Sequence, residues 1–354
     1  MNNRKVIKLT PPIISIDHIK EKITCIRGHR ERIFNVSSQI QDGKLILNNY
    51  GQGGAGWTFL FGCANESIRQ FEENLENNNS YKNKPITIIG AGCYGLLTAI
   101  TLSRMGYMVK IIAAATDDIS SLKSAGFFFP RHRKCSTEEE KNIFKKMGLE
   151  SYVTYKNIIS GNHDFIKIGP KILPAYFAID IDPGFGPYIE ENLVDKPEKV
   201  IIDFGNSKTY DALEYKIIFI NSSIIMQELY RNIKELNIEI IKKEVNNFNE
   251  IPEEIIFNCS GLGSKVLAQD KRIVPVQGHL ITLKNQPIDQ IQYMINFKVT
   301  QLNPAGKPRD ELIYFAPKES GVLGVTFIRG QDSLTANPHE FDRLLQRCQD
   351  FFGI

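Results

Sequence analysis

The sequence predicts an α/β protein in two parts, a parallel sheet of the nucleotide-binding type beside a β-rich domain of antiparallel strands. Three observations carry this prediction. Gly90-Ala91-Gly92-Cys93-Tyr94-Gly95 follows the short apolar run Ile86 to Ile89 and opens a helical one. A second glycine cluster, Asn49-Tyr50-Gly51-Gln52-Gly53-Gly54-Ala55-Gly56-Trp57-Thr58, stands between an alternating run and another helical one. Residues 145–216 are rich in aromatic, Gly and Pro residues with alternating segments, while 273–283 and 312–328 read as longer antiparallel strands.

In chain order, Lys44 to Leu47 alternates as a strand does, and Phe59 to Leu75 has helical spacing, with Phe61, Ile68 and Phe71 on one side. Residues 72–84 are polar and asparagine-rich, as expected of a linker, and end at Pro85. Ile86 to Ile89, Leu96 to Met105 and Val109 to Ile112 then form a strand, helix and strand, a βαβ start. Ile217 to Ile220, Ile238 to Ile241 and Ile255 to Phe257 are further strands expected to extend the same sheet, with a helix at Met226 to Leu236. A last helix spans Pro338 to Phe352, and there is no internal repeat.

With 354 residues, 42% hydrophobic and 23% charged, the chain can bury a large core in one or two interleaved domains. A net charge of +3, and one tight basic cluster, Arg131-His132-Arg133-Lys134, with few aromatic partners, argue against nucleic acid. Cys25, Cys63, Cys93, Cys135, Cys259 and Cys348 lie far apart without a CxxC pair, which predicts reduced thiols and a cytoplasmic setting. The N-terminal apolar stretch contains Pro11-Pro12 and Asp17, so neither signal peptide nor membrane anchor is expected. Phe352-Gly353-Ile354 carries no peroxisomal address. The histidines are scattered without HExxH spacing, which predicts no metal, and no hydrolase triad stands out.

In a GxGxxG turn the first glycine permits a tight bend, the second lets backbone approach a pyrophosphate, and the third packs helix on strand. The helix start adds partial positive charge. A flavin or a nicotinamide dinucleotide would both suit this turn. The acid that usually meets the adenosine ribose at the end of the second strand is replaced by Ala113-Ala114-Ala115, with Asp117 and Asp118 several residues later. The Gly53-to-Thr58 segment presents backbone N–H groups at a helix start, where a reduced flavin gains negative charge at N1 and the C2 carbonyl.

Taken with Gly28-His29-Arg30 and Arg32, Gly62-Cys63-Ala64, Asn258-Cys259-Ser260-Gly261 and Ile313-Tyr314-Phe315-Ala316-Pro317 followed by Gly324 and Thr326, these motifs resemble the D-amino-acid oxidase family. The resemblance covers most of the chain from Cys25 to Phe327. In that family the fingerprint opens the chain and the tyrosine-glycine segment lies near its end. The reversed order here predicts a circularly permuted protein, with a Rossmann-like FAD-binding domain and a β-rich antiparallel-sheet substrate domain. Residues 35–136 and 216–272 would form the first, and 8–34, 137–215 and 273–354 the second. Residues 72–84 would join the exchanged blocks, reaching roughly 20 Å if flexible. New ends would open between the helix 338–352 and the strand holding Arg27 to Ile33.

The resemblance implies FAD as cofactor, bound by Gly90, Gly92, Cys93, Tyr94, Gly95, Ser120, Ser121, Ala125, Gly126, Val245, Ser260, Gly261, Gly53, Gly54, Gly56, Trp57 and Thr58. It implies catalysis by Arg32, with Arg30 second, on the substrate carboxylate, and by Tyr314 and Gly54. An arginine suits a carboxylate because it is always charged and can pair through two parallel hydrogen bonds; surface arginines on an amphipathic strand are the alternative. The family's companion tyrosine is replaced by Asp310, on a polar loop from Pro304 to Glu311. The implied reaction is oxidative deamination of a D-amino acid to a 2-oxo acid by hydride transfer to flavin N5, with oxygen or another electron acceptor as partner. Alternatives are a glycine or secondary-amine substrate, a flavin-binding protein without catalysis, and a nicotinamide-dependent dehydrogenase. Oligomeric state is left open.

Overall fold

The computed structural model describes residues 4–131, 135–205, 207–302 and 306–354; His132, Arg133 and Lys134 of the basic cluster lie outside these. The chain opens with β1 (Lys5–Lys8), the long β2 (Ile19–Arg30), β3 (Asn35–Gln41) and β4 (Lys44–Tyr50). The β3–β4 hairpin turns on Asp42-Gly43, both at positive φ, as a two-residue turn requires. Then come α1 (Leu60–Asn77), β5 (Ile86–Ile89), α2 (Cys93–Arg104) and β6 (Val109–Ala113). Helix α3 (Glu138–Ile159) starts at Thr137, whose side chain accepts from the Glu140 N–H, with three glutamates in the first turn against the positive helix end.

The next elements are β7 (Pro170–Ala178), the short α4 (Gly186–Glu190), β8 (Glu198–Asp203), β9 (Thr209–Ile220) and α5 (Ser222–Glu235). They lead to β10 (Glu239–Lys242), β11 (Ile255–Asn258) and the single turn α6 (Ser264–Leu267). The last part comprises β12 (Ile273–Leu283), β13 (Met294–Leu302), β14 (Pro308–Ala316), β15 (Val322–Gly324), β16 (Ile328–Arg329) and α7 (Pro338–Phe352).

Two sheets result. The smaller has the order β10-β6-β5-β11-β4-β3, parallel throughout except for the β3 edge. Strands β5 and β11 are wholly buried, which is why they read as unbroken apolar runs. The larger sheet runs β1-β8-β9-β7-β13-β14-β15-β12-β16, with β2 pairing along the whole of β12. Most of its pairs are antiparallel, as its alternating sequence predicts.

Four expectations change. Ile217 to Ile220 ends β9 and pairs antiparallel with β7, so it belongs to the larger sheet rather than extending the parallel one. Within the segment expected to be β-rich, residues 138–159 form a helix; Phe144, Met147, Ser151, Tyr152, Tyr155 and Ile158 line its buried face at helical spacing that the mixed composition disguised. The expected linker is shorter than its polar composition suggested, because α1 runs to Asn77 and a 3-10 turn over Asn79–Tyr81 buries Tyr81. Asp310 lies within β14 rather than on a loop, opposite Thr300 and paired with Lys298 at 2.7 Å.

Helix α3 packs on α1 through a glycine. A Cβ at Gly62 would stand 2.1 Å from the Met147 carbonyl oxygen, and the Gly62 N–H donates to Ser151 Oγ. Gly62→Ala is expected to destabilise the fold by about 1–3 kcal/mol through overpacking, read as a lower urea midpoint at unchanged slope.

Candidate functional site

The turn after β5 has the geometry its glycines predict. Gly90 lies at φ +107°, where a Cβ would press within 2.4 Å of the Cys259 carbonyl oxygen. A Cβ on Gly95 would meet the Gly90 carbonyl oxygen at 1.9 Å, so only glycine lets α2 seat on this turn. Gly92 caps α2, and the Cys93 N–H donates to Ser121 Oγ at 3.1 Å. Burial pushes the Cys93 thiol up to about 11, so it stays protonated.

The other glycine segment lies against this turn. The Tyr94 hydroxyl donates to the Gly56 carbonyl at 2.6 Å, and the Trp57 indole donates to the Ser121 carbonyl at 3.2 Å. Thr58 Oγ1 accepts from the Phe129 N–H. Residues 120–129 therefore pass between the two glycine motifs. From the other side this loop is held by Lys318, whose buried ammonium donates to the Leu122 and Ser124 carbonyls at 3.0 and 2.8 Å. Burial lowers the Lys318 pKa to about 8. Ser120 Oγ donates to the Ile26 carbonyl, and Gly126, at φ +95°, lies so close to Ile220 that a Cβ would stand 2.2 Å from its carbonyl oxygen.

Strand β2 brings the larger sheet to the same place. His29 bridges to Gln52, the Arg30 N–H donates to the Gly51 carbonyl, and Gly51 at φ +89° would clash with Arg30 if it carried a Cβ. Arg30 Nε pairs with Asp270 at 2.6 Å, and the Tyr50 hydroxyl donates to the same carboxylate at 3.0 Å. Gly28 fits against Leu262, whose N would lie 2.9 Å from an added Cβ. Gly261, at φ +57°, and Ser260, which donates to Asn258 Oδ1, shape that turn. Ala125 and Val245 are half-buried packing residues, the latter over the Ile46–Ile89–Ile112 cluster.

The expected arginines are committed elsewhere. Arg32 lies in a turn at φ +67°, with its side chain 48% exposed and paired to Glu140 of α3 at 2.7 Å. Arg30 is the Asp270 partner just described. The arginine that faces the glycine segment is Arg27, which sequence reasoning passed over. Its Cδ and Nη1 lie 3.6 Å from where a Gly54 Cβ would be, and Gly278 leaves the space its Nη2 occupies. Nη2 donates to the Thr326 carbonyl at 2.7 Å, and the guanidinium stands 4.5 Å over the Phe327 ring. Its Nε is buried without a partner, and among the described residues no carboxylate pairs with it. Burial opposes its charge, with Cys25 on the same strand acting the other way. The available signal was a cation set between Ile26 and Gly28 inside the strand.

Tyr314 lies on the same sheet face, through the register Tyr314–Gly324–Leu280–Ile23. Its hydroxyl accepts from the Phe127 N–H at 3.2 Å, and its ring packs on Phe127 at 4.3 Å. A cavity of about 220 Å³ opens on this face, lined by Ile23, Leu122, Ser124, Leu280, Lys318 and Val322. Among the described residues no cluster could hold a metal, no disulfide links the cysteines, and no helix is long and apolar enough to cross a membrane.

A family model described as FAD dependent oxidoreductase matches residues 85–354. The D-amino acid oxidase of Dugesia ryukyuensis is 28% identical over 212 residues, 56% of this chain and 60% of that enzyme, so the chain matches three fifths of that relative's length. The D-amino-acid oxidase of Rubrobacter xylanophilus is 29% identical over 275 residues, 74% of this chain and 75% of the relative. The solved iminodiacetate oxidase from Chelativorans sp. superposes with a TM-score of 0.50 at 15% identity, over 76% of this chain and 79% of that one, a likeness of fold. The described residues fit such a cofactor: Gly90 and Gly95 leave no room for a Cβ in the turn, and the Gly53–Gly56 turn stands directly against it. No carboxylate ends β6, and Asp117 is exposed four residues beyond Ala113.

Burial alone would raise the Asp270 carboxyl, but hydrogen bonds from Arg30, the Arg272 N–H and Tyr50 hold it below its ordinary value. Its stabilisation is then complete above the ordinary aspartate range, near pH 4, and is lost as pH falls through the lowered native value. Asp270→Asn is expected to be less stable at pH 7 by about 1–3 kcal/mol, and its pH–stability curve below about pH 4 should be flatter than that of the unaltered chain.

Proposed function

The chain belongs to the FAD dependent oxidoreductase family, and from that premise we propose that it oxidatively deaminates a D-amino acid to a 2-oxo acid. The observation that carries this reading is Arg27, a buried guanidinium with no carboxylate partner among the described residues, set beside Gly54 on the sheet face that also bears Tyr314. A cation in that position calls for an anion from outside, and a carboxylate matches it with two parallel hydrogen bonds. The D-amino-acid oxidase relatives support the substrate class.

In this mechanism Arg27 binds the substrate carboxylate, while its Thr326 contact and the Phe327 ring fix the guanidinium plane. Gly278 and Gly54 keep side chains out of the space beside it. Tyr314 bounds the same face, its O–H proton remaining to be donated while its oxygen accepts from Phe127. FAD would be held by the Gly90–Gly95 and Gly53–Thr58 turns and would supply the two-electron acceptor for the substrate Cα hydrogen. The chain's part is positioning: among the described residues no carboxylate pairs with Arg27. The imino acid then leaves and hydrolyses, and oxygen or another acceptor reoxidises the enzyme.

The test is anaerobic absorption spectroscopy of the FAD-loaded protein against a panel of D- and L-amino acids. Bleaching by a D-isomer and not its L-partner supports the reading; a flavin that no amino acid reduces would sink it. Arg27→Ala should retain FAD while KM rises about 30-fold or more, the cost of losing a buried charge-assisted contact. Arg32→Ala, on the outer turn, should leave KM within about twofold, as expected of an exposed pair.

We also propose that the order of the chain is a circular permutation. Two observations support it. The family match begins at Pro85, the residue before β5. The C-terminal helix lies against the N-terminal segment, Gln349 donating to the Ile14 carbonyl at 3.0 Å. A chain reordered as 85–354 followed by 4–84 through a short linker is expected to fold and to give the same flavin spectrum; failure to take up FAD would count against the permutation.

A further inference from the structure

We infer that Tyr94 and Tyr155 tune the flavin site by polarising two consecutive peptide groups of the glycine segment, an inference that rests on the cofactor placement given under Proposed function. The Tyr94 hydroxyl donates to the Gly56 carbonyl at 2.6 Å, and the Tyr155 hydroxyl donates to the Trp57 carbonyl at 2.7 Å. Each carbonyl shares its peptide with the next N–H, so the two hydroxyls act on the Trp57 and Thr58 N–H groups. Neither of these donates to another protein group among the described residues. A carbonyl that accepts a strong hydrogen bond draws charge along its amide and makes the attached N–H a better donor, more so where water is excluded.

Three elements converge on this short stretch. Tyr94 enters from the first turn of α2, Tyr155 from the fifth turn of α3, and the Ala55 carbonyl before them accepts from the N–H of Phe59, the cap of α1. Both rings are buried, Tyr155 edge-on to Phe61 and Phe128 at 4.9 and 6.1 Å, so the hydroxyls have fixed directions. Burial raises both hydroxyl pKa values well above the usual tyrosine range, with neighbouring Cys63 and Cys93 acting the same way on Tyr94, and each therefore remains a donor at any working pH. With FAD bound, a pair of strengthened N–H donors at this helix start would stabilise the negative charge that a reduced flavin gathers at N1 and the C2 carbonyl. The two tyrosines are positioning residues that act through backbone and do not touch the cofactor themselves.

The experiment compares FAD-loaded wild type with Tyr94→Phe, Tyr155→Phe, the double variant and Tyr152→Phe, by midpoint potential against a reference dye and by affinity for sulfite. Tyr152 is buried in the same aromatic cluster, against Phe128 at 4.9 Å, and serves as the control for packing. Each of Tyr94→Phe and Tyr155→Phe should lower the two-electron reduction equilibrium about threefold, a shift of about 14 mV at the two-electron conversion. Sulfite binding should weaken by a similar factor, and the double variant should shift further. Should Tyr155→Phe fail to fold, Tyr94→Phe decides alone. Unchanged potential and sulfite affinity in the folded variants, or an equal shift in Tyr152→Phe, would overturn the inference while leaving the oxidase reading intact. A wild-type chain that takes up no FAD would overturn both.

Discussion

The candidate site depends on the way β2 is fastened to the turn after β4. That fastening is the Arg30–Asp270 ion pair, with Tyr50 on the same carboxylate and the Arg30 N–H on the Gly51 carbonyl. Gly51 has to be glycine there, because its positive φ and the nearness of Arg30 leave no room for a side chain. The junction joins two sheets that share no strand. It fixes the distance from Arg30 back along β2 to Arg27, three residues away and therefore on the opposite face of the pleat. Arg30 turns toward Asp270 while Arg27 turns toward Gly54 and Gly278. The first arginine builds the site and the second faces into it.

That division of labour explains what the sequence could and could not reveal. The glycines were legible because each requirement is local: a positive φ at Gly90, close approach at Gly95, and a strand before and a helix after. The βαβ unit, β12 and α7 were legible because their apolar spacing is regular. Helix α3 was not, since Gly148, Tyr152, Val153 and Thr154 are poor or indifferent helix formers, and only packing on α1 and the cap at Thr137 decide it. Ile217 to Ile220 looked like a parallel-sheet strand because it is buried on both faces, a property it owes to its position in the larger sheet.

The choice among arginines was illegible for a different reason. Arg27, Arg30 and Arg32 differ in partner, and partners are tertiary facts. Arg30 meets Asp270, 240 residues later in the chain, and Arg32 meets Glu140. Alternation along a strand says that Arg27 faces away from Arg30 but not which face is the inside. Tyr94 was selected as part of the fingerprint, yet its contact with Gly56 depends on the two glycine turns lying together, which neither turn dictates alone.

Buried cations without acidic partners are costly, and this face of the larger sheet carries two of them, Arg27 and Lys318. They are satisfied differently. Lys318 donates hydrogen bonds to two carbonyls of the 122–124 loop, so its ammonium shapes the loop that runs between the glycine turns. Arg27 has one carbonyl, one aromatic face and an orphaned Nε, so its hydrogen-bonding capacity is incompletely used. A fold selected for stability alone would have placed a carboxylate beside it, as it did for Arg30. The unmet valence of Arg27, against the glycine turn of a flavin-family chain, is the strongest physical ground for placing an anionic substrate there.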